Sequence, residues 1–296
     1  MRKLTLISLL FAGLLINGCQ KELKDDNSTE GTFTALTYNV AGLPDGINPD
    51  QHPLVNTPKI SPRLNNYDVV NVQEDFYYHD VLIKDDKHPY RRKYVANRSL
   101  GDGLNLFSKF IITNFMRTEW TDCNGTDCFT PKGFTLCRLK LSSKIYIDLY
   151  NVHCNAGSDS ADLLARRKNI LQIVKYIAYR SKGNAVIIMG DMNCRYTRTG
   201  DNIREILNLG FKDAWIETQR NGVLPNQDGI SLTDCDPVAT NPTCEVVDKI
   251  FYRSSEKIKI DLLDYRVEGD AFLDENGEWL SDHRPLFAKF HYQLIK

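Results

Sequence analysis

An α/β sandwich, two packed sheets flanked by helices, is the fold class that this 296-residue sequence predicts. Three observations lead there. Short runs rich in β-branched and aromatic residues recur along the chain. Two helical periodicities stand between them. No internal repeat, low-complexity tract or Pro/Gly/Ser-rich linker divides residues 32–296, so one domain is the economical reading. Composition agrees: 42% hydrophobic and 25% charged residues suffice for a large core and exclude disordered, collagen-like and coiled-coil chains.

Taken in order, the expected strands are residues 33–38, 69–73, 133–141, 144–153, 185–189, 249–252, 257–266 and 286–292. The main helix begins at a cap on Ser158 or Asp159 and runs to about Ser181. Leu163, Leu164, Ile170, Leu171, Val174, Ile177 and Ala178 share one side of it, and Gly183 ends it. A shorter helix is expected over residues 202–209. Ser61-Pro62, a cap followed by proline at the first helical position, marks another helix start.

Residues 1–18 read as an export signal. Arg2 and Lys3 give it a positive start, and residues 4–16 form an apolar stretch too short to span a bilayer. Leu15-Ile16-Asn17-Gly18 ahead of Cys19 resembles the bacterial lipobox, whose Cys is acylated and becomes the mature N-terminus; the alternative is a plain signal peptide with an incidental Cys. Residues 19–32 would then be the lipidated Cys19 and a polar, acidic tether. That makes the protein an exported, membrane-anchored lipoprotein of the outer membrane, facing either the periplasm or the outside. Formal charge is −1, from 37 Lys and Arg against 38 Asp and Glu, and loss of Arg2 and Lys3 leaves 35 against 38, so this is no polycation built to coat nucleic acid.

An exported protein lives where disulfides persist. Cys123 with Cys128, and Cys235 with Cys244, lie in turn-rich polar segments and read as two local staples. A zinc site would need tight two-to-four-residue spacing in both halves, which the two pairs do not give, and the compartment favours oxidation. Cys137, Cys154 and Cys194 sit in apolar or motif segments and read as buried free thiols.

The chemistry lies where polar residues meet strand ends. Asn39, Glu74, His153, Asp191 with Asn193, Asp248, and Asp282 with His283 each follow or close a β-rich run. Singly, each has an ordinary reading as a turn residue, a cap or a solvated charge. Jointly they form an ordered set that can converge on one rim. LTYNV (36–40), VVNVQE (69–74), YNVHCN (150–155), IIMGDMN (187–193), VDKIFY (247–252) and SDHRPL (281–286) resemble, in order, the sequence blocks of the endonuclease/exonuclease/phosphatase superfamily of metal-dependent phosphoesterases. The resemblance spans residues 33–292 and implies a four-layer sandwich, two central mixed β-sheets flanked by helices, with residues 33–296 as the catalytic domain.

What the resemblance implies for the site is chemically coherent. A phosphodiester repels a water nucleophile until a cation neutralises it and a base takes the water's proton. Glu74, with Asn39 beside it, matches the family's main metal position, suited to Mg²⁺ with Mn²⁺ or Ca²⁺ as substitutes. His283 matches the general base and Asp248 the carboxylate that buttresses it. Asp191 matches the residue that orients the nucleophilic water, Asn193 the amide that holds a phosphate oxygen, and His153 a donor to that oxygen. Asp282 is either a second-metal ligand or the partner of His153. Arg195 is a candidate phosphate contact, with a loop salt bridge as the alternative.

Substrate choice rests on finer resemblances. His153 argues for the branch with two histidines, which holds deoxyribonucleases, inositol-phosphate 5-phosphatases and sphingomyelinases. Asn39-Val-Ala-Gly-Leu-Pro44 and Thr130-Pro-Lys132-Gly-Phe134 resemble sphingomyelinase-like members, with Lys132 a candidate substrate contact. A phospholipid headgroup is therefore the expected substrate of a monomeric enzyme that meets lipid at an interface. A deoxyribonuclease acting on nucleic acid, a 5-phosphatase and a catalytically silent surface binding module follow in that order. One departure stands out: residues 268–279, where membrane-lytic members carry an apolar hairpin, are mostly acidic, with only Phe272, Leu273 and Trp279 to insert.

Overall fold

The structure, a computed structural model, describes residues 26–295 apart from 48, 93–99, 231 and 233–243. Cys19, the chain before residue 26 and Cys235 lie outside the described residues. The first of two sheets holds β1 (Glu30–Asn39), β2 (Val69–Gln73), β3 (Tyr90–Arg91), β4 (Asn105–Ser108), β11 (Ile258–Val267) and β12 (Leu286–Leu294) in the order β11-β12-β1-β2-β4-β3. The second holds β5 (Ile111–Glu119), β6 (Gly133–Lys140), β7 (Tyr146–His153), β8 (Val186–Asp191), β9 (Lys212–Asp213) and β10 (Asp248–Arg253) in the order β5-β6-β7-β8-β10-β9.

Both sheets are mixed. β1 is parallel to β2, and β7 to β8, and each pair is joined by the helical crossover that parallel neighbours require. The first crossover carries α1 (Pro53–Ile60), the second α3 (Ser160–Arg180); α2 (His79–Leu82), α4 (Arg204–Leu207) and α5 (Ala214–Gln219) complete the helices of the described chain. The α/β sandwich expected from the sequence is thus the fold.

Period-two alternation in β1 shows how the layers arise. Phe33 and Ala35 join the main core with β6, β7 and β8, whereas Leu36 and Tyr38 face a second core with Val70, Val72, Ile60 and Leu64. Near the end of β1 the space between the sheets turns polar. Gln73 donates to Asn151 Oδ1 (2.7 Å), and Asn71 donates to the carbonyls of Tyr150 (3.0 Å) and Met189 (3.3 Å). Each bond crosses from one sheet to the other, so these amides set the relative position of the two sheets beneath the rim.

Helix α3 starts at Asp159, in a capping box with Asp162, and ends at Arg180 ahead of Gly183. Its buried face differs from the apolar one read in the sequence. Ala165, Arg166, Asn169, Ile170, Ile173 and Ile177 are buried, while Leu164 and Leu171 are exposed. Arg166 and Asn169 displace the leucines because they bond loops that the helix crosses. Residues 202–209 contain only the single turn α4. Ser61 opens a 3-10 turn, but the helical run enters it from Pro53, eight residues earlier. Four strands escaped the pattern: β3 and β9 are two residues long, β4 is four, and β5 is interrupted between Thr113 and Met116 around Asn114, whose φ is 51°.

Candidate active site

Strand register brings the polar strand ends together. β8 is flanked by β7 and β10, and Asp191 at its end pairs with His153 on one side and Asp248 on the other. Three residues far apart in sequence therefore sit side by side on one rim. Gly190 permits this: a Cβ there would lie 2.1 Å from the Val152 carbonyl oxygen of the adjoining strand. In the facing sheet, Asn39 pairs with Gln73, which puts Asn39 beside Glu74. Glu74 turns out of β2 with φ of 55°, and its carbonyl accepts from Gly42 N–H at 3.0 Å. A Cβ on Gly42 would approach that carbonyl to 2.5 Å, so glycine is required for the turn.

The Asp191 carboxylate is the hub. Its Oδ2 accepts from Asn39 Nδ2 (3.2 Å) and Asn193 Nδ2 (3.1 Å), and its Oδ1 accepts from Asn193 N–H (2.9 Å). Oδ2 also lies 3.4 Å from His153 Nε2 and 3.7 Å from His283 Nε2. Asn39 spans both sheets, because its Nδ2 donates also to Glu74 Oε1 at 3.0 Å. His153 Nε2 is 3.7 Å from that same Glu74 oxygen. Asp248 Oδ2 meets His283 Nδ1 at 2.9 Å, while its Oδ1 is buried with no hydrogen-bond partner among the described residues.

Electrostatics separates the two histidines. Burial depresses His153 well below the usual imidazole range, and the positive Lys132 and His283 push the same way, so its ring is neutral. Burial opposes charge on His283 too, but Asp248 and Asp191 outweigh it and raise that imidazole well above its ordinary value. Asp191 is pushed up to about 6, first by burial and then by Asp248, against the pull of His283 and Lys132. The arrangement is a carboxylate–imidazole pair able to exchange a proton beside a second, buried carboxylate.

A divalent cation fits this donor set. Glu74 supplies hard carboxylate oxygens at a partly open position, its side chain being 19% exposed, whereas the buried Asn39 turns its amide nitrogen towards Glu74 and its Oδ1 accepts from Ala41 N–H at 3.0 Å, so it orients the carboxylate rather than offering the ion an oxygen. Asp191, Asp248 and His283 place ligand atoms within 4.8 Å of one another, a second group able to hold a metal ion.

The remaining expected site residues are not among the groups bonded to Asp191, although the charges of Lys132 and Asp282 act on its neighbours. Asp282 is exposed, with its Oδ1 3.4 Å from Ser281 Oγ; it does not partner His153, whose Nδ1 has no hydrogen-bond partner among the described residues. Lys132 is buried and pairs with Asp127 at 2.7 Å, in a recess beside the Cys123–Cys128 disulfide. Arg195 donates to the Glu245 carbonyl oxygen, and its own N–H bonds Asp201 (2.8 Å). Cys244 is disulfide-bonded, and Cys137, Cys154 and Cys194 are free and buried.

The apolar residues expected to insert from 268–279 are otherwise engaged. Phe272 is fully buried against Tyr38 and Tyr67, and Leu273 bridges Trp279, which Arg284 covers at 4.1 Å. Exposed apolar side chains are scattered over the described surface, from Ile47, Leu54, Val55 and Tyr77 after β1 and β2 to Phe129, Tyr179 and Ile230. Sequence reasoning also missed Ser281, whose Oγ donates to the Asn39 carbonyl oxygen (2.7 Å) and ties the His283 loop to β1. The only signal for it was its place in SDHRPL.

Residues 52–289 match the model of endonuclease/exonuclease/phosphatase family 2. A protein named sphingomyelinase from Mycobacterium bovis is 35% identical over 281 residues, which are 90% of this chain and 54% of that protein; the chain spans about half the length of the relatives of this kind that it matches. Among solved structures, beta toxin from Staphylococcus aureus superposes with a TM-score of 0.61 at 18% identity, covering 86% of this chain and 99% of the toxin. A variant of that toxin with bound magnesium ions superposes with a TM-score of 0.58 at 16% identity, over 87% and 99% of the two chains. Family model and fold agree, and the chain belongs to the endonuclease/exonuclease/phosphatase family.

Proposed function

We propose that this protein is a metal-dependent phosphodiesterase that hydrolyses a phospholipid headgroup ester in the manner of a sphingomyelinase, exported and anchored through an acylated Cys19. One observation carries the chemistry: side chains from the ends of β1, β2, β7 and β10 and from the loop before β12 gather about the Asp191 carboxylate at the end of β8, with His283 held by Asp248 at 2.9 Å. The similarity to mycobacterial sphingomyelinase supports the lipid substrate.

Glu74 would hold Mg²⁺, with the Asn39 amide orienting its carboxylate, and the ion would neutralise the phosphate and favour charge build-up on its oxygens. The bound-magnesium toxin supports that ion. His283 Nε2 takes the proton of the attacking water, and Asp248 fixes the tautomer and stabilises the imidazolium that forms. Asp191 Oδ2, 3.7 Å from His283 Nε2, accepts from the same water and orients it. His153, neutral through burial, donates to a phosphate oxygen together with the Asn193 amide.

The test is hydrolysis by protein beginning after Cys19, with Mg²⁺ or EDTA, on sphingomyelin vesicles and in parallel on plasmid and single-stranded DNA. Release of phosphocholine without DNA nicking is expected. Nicking without lipid turnover would move the protein to the deoxyribonuclease branch, and no activity on any phosphoester would leave the binding-module reading.

A further inference from the structure

The two poles of the sandwich carry different things. Asn39, Gln73, His153 and Asp191 close their strands at one end. At the other end stand the start of β1 at Glu30, the end of β12 at Leu294 and the β6–β7 turn at Ser142 and Ser143. The chain enters at this second pole and is clasped there. Ser143 N–H donates to the Asp26 carbonyl (2.7 Å), Ser142 Oγ to the Ser28 carbonyl (2.9 Å), Ser143 Oγ to Asn27 Oδ1 (2.6 Å) and Leu294 N–H to the Thr29 carbonyl (2.7 Å).

We propose that the anchored protein acts in trans: its catalytic rim cannot face the bilayer that holds Cys19 and works on lipid presented by another surface. This rests on the anchored phosphodiesterase reading above. Covalent geometry supplies the argument. From Cys19 to the clasped Asp26 the chain advances seven residues, a reach of at most about 25 Å even when fully extended. The ten residues of β1 separate Glu30 from Asn39 by about 30 Å along the sandwich. An inverted domain must span at least that length, plus the detour around its side, with a strap shorter than its own height. Release of the clasp back to Glu30 lengthens the strap to at most about 40 Å, so the bonds to Ser142 and Ser143 decide the reach.

The experiment uses the full chain purified from bacterial membranes, with acylation of Cys19 verified by mass spectrometry, carried on the outer face of vesicles. Sphingomyelin is placed either in the carrying vesicles or only in separate ones. Turnover on separate vesicles should exceed that on carrying vesicles by on the order of tenfold, because a linker that cannot span gives an effective concentration near zero. Inserting 20 Gly/Ser residues after Gln20 gives a strap with an r.m.s. length of about 30 Å and should raise turnover on carrying vesicles close to that on separate ones. A second readout is independent of catalysis. Single labels at Lys144→Cys, on the clasp pole, and Tyr77→Cys, on the rim, report energy transfer to an acceptor in the carrying bilayer, and transfer should be stronger from 144.

Equal turnover by the unmodified chain on both kinds of vesicle, or stronger transfer from 77 than from 144, would overturn the inference. So would an unacylated Cys19. No turnover in any arm, with stronger transfer from 144, would remove the phosphodiesterase reading and leave the anchored geometry supported.

Discussion

Arg166 offers the sharpest test of how the site is supported. It is fully buried, and its Nε donates to Asp201 Oδ1 at 3.0 Å, both side chains being 0% exposed. Its Nη1 donates to the carbonyls of Asn155 (2.9 Å), Ala156 (3.3 Å) and Gly157 (2.8 Å). The first loop follows His153, and the second, through Asp201, follows Asn193, so one guanidinium holds both. Arg166→Met keeps the volume and removes the charge. Breaking a buried pair costs about 3–5 kcal/mol when the partner is stranded. Asp201 keeps the Arg195 N–H (2.8 Å) and Arg198 (3.3 Å), which places its share at about 3 kcal/mol, the low end of that range. Of the three carbonyls only Asn155 is in a buried residue, and its lost donor adds about 1 kcal/mol. A total of about 4 kcal/mol corresponds to a fall in Tm of roughly 8–16 °C for a chain of this size. Calorimetry of wild type and variant measures it, and Arg166→Lys, which keeps the charge but not the fork, should fall between them. A Tm within about 2 °C of wild type would refute the idea that this clamp carries the loops.

His283→Ala and Glu74→Gln should each lower turnover by at least about 10³-fold with near-wild-type far-UV spectra, and wild-type rates in either would sink the site assignment. Asp248→Asn should move the acid limb of the kcat/KM profile to lower pH. The base works only when neutral, so its rate rises as pH passes a raised His283 pKa, and removing the Asp248 charge lowers that pKa. A limb that stays in place would show that another group titrates. Saturating Mg²⁺, at about 100 times its Kd, should stabilise the protein by about 2.7 kcal/mol against EDTA in a thermal melt, and Glu74→Gln should lose most of that gain. Thiol titration of unfolded, unreduced protein beginning after Cys19 should find the three thiols that are free in the fold, Cys137, Cys154 and Cys194, and seven would reject both staples.

Much of this was legible in the residue order. The α/β class followed from β-rich runs with helices between them, because period-two and period-3.6 patterns are local properties of the chain. The polar residues that close β1, β2, β7 and β8, and those that begin β10 and precede β12, stood out against their apolar runs before any contact was known. Gly190 and Asp191 did so most clearly, at the end of an uninterrupted hydrophobic stretch.

Tertiary structure decided what depends on partners distant in sequence. Register, not spacing, set Asp191 between His153 and Asp248 and gave the two histidines opposite charge preferences, since burial and neighbouring charge are properties of the assembled rim. Pattern reading placed leucines on the buried face of α3, yet Arg166 lies there, because the loops it bonds come from after β7 and β8. Phe272 appears available to a membrane in the sequence and is buried in the fold, where Tyr38 and Tyr67 receive it. The sequence determined which groups exist and in what order; folding determined which of them meet, because hydrogen bonds and desolvation act across space and carry no trace in local periodicity.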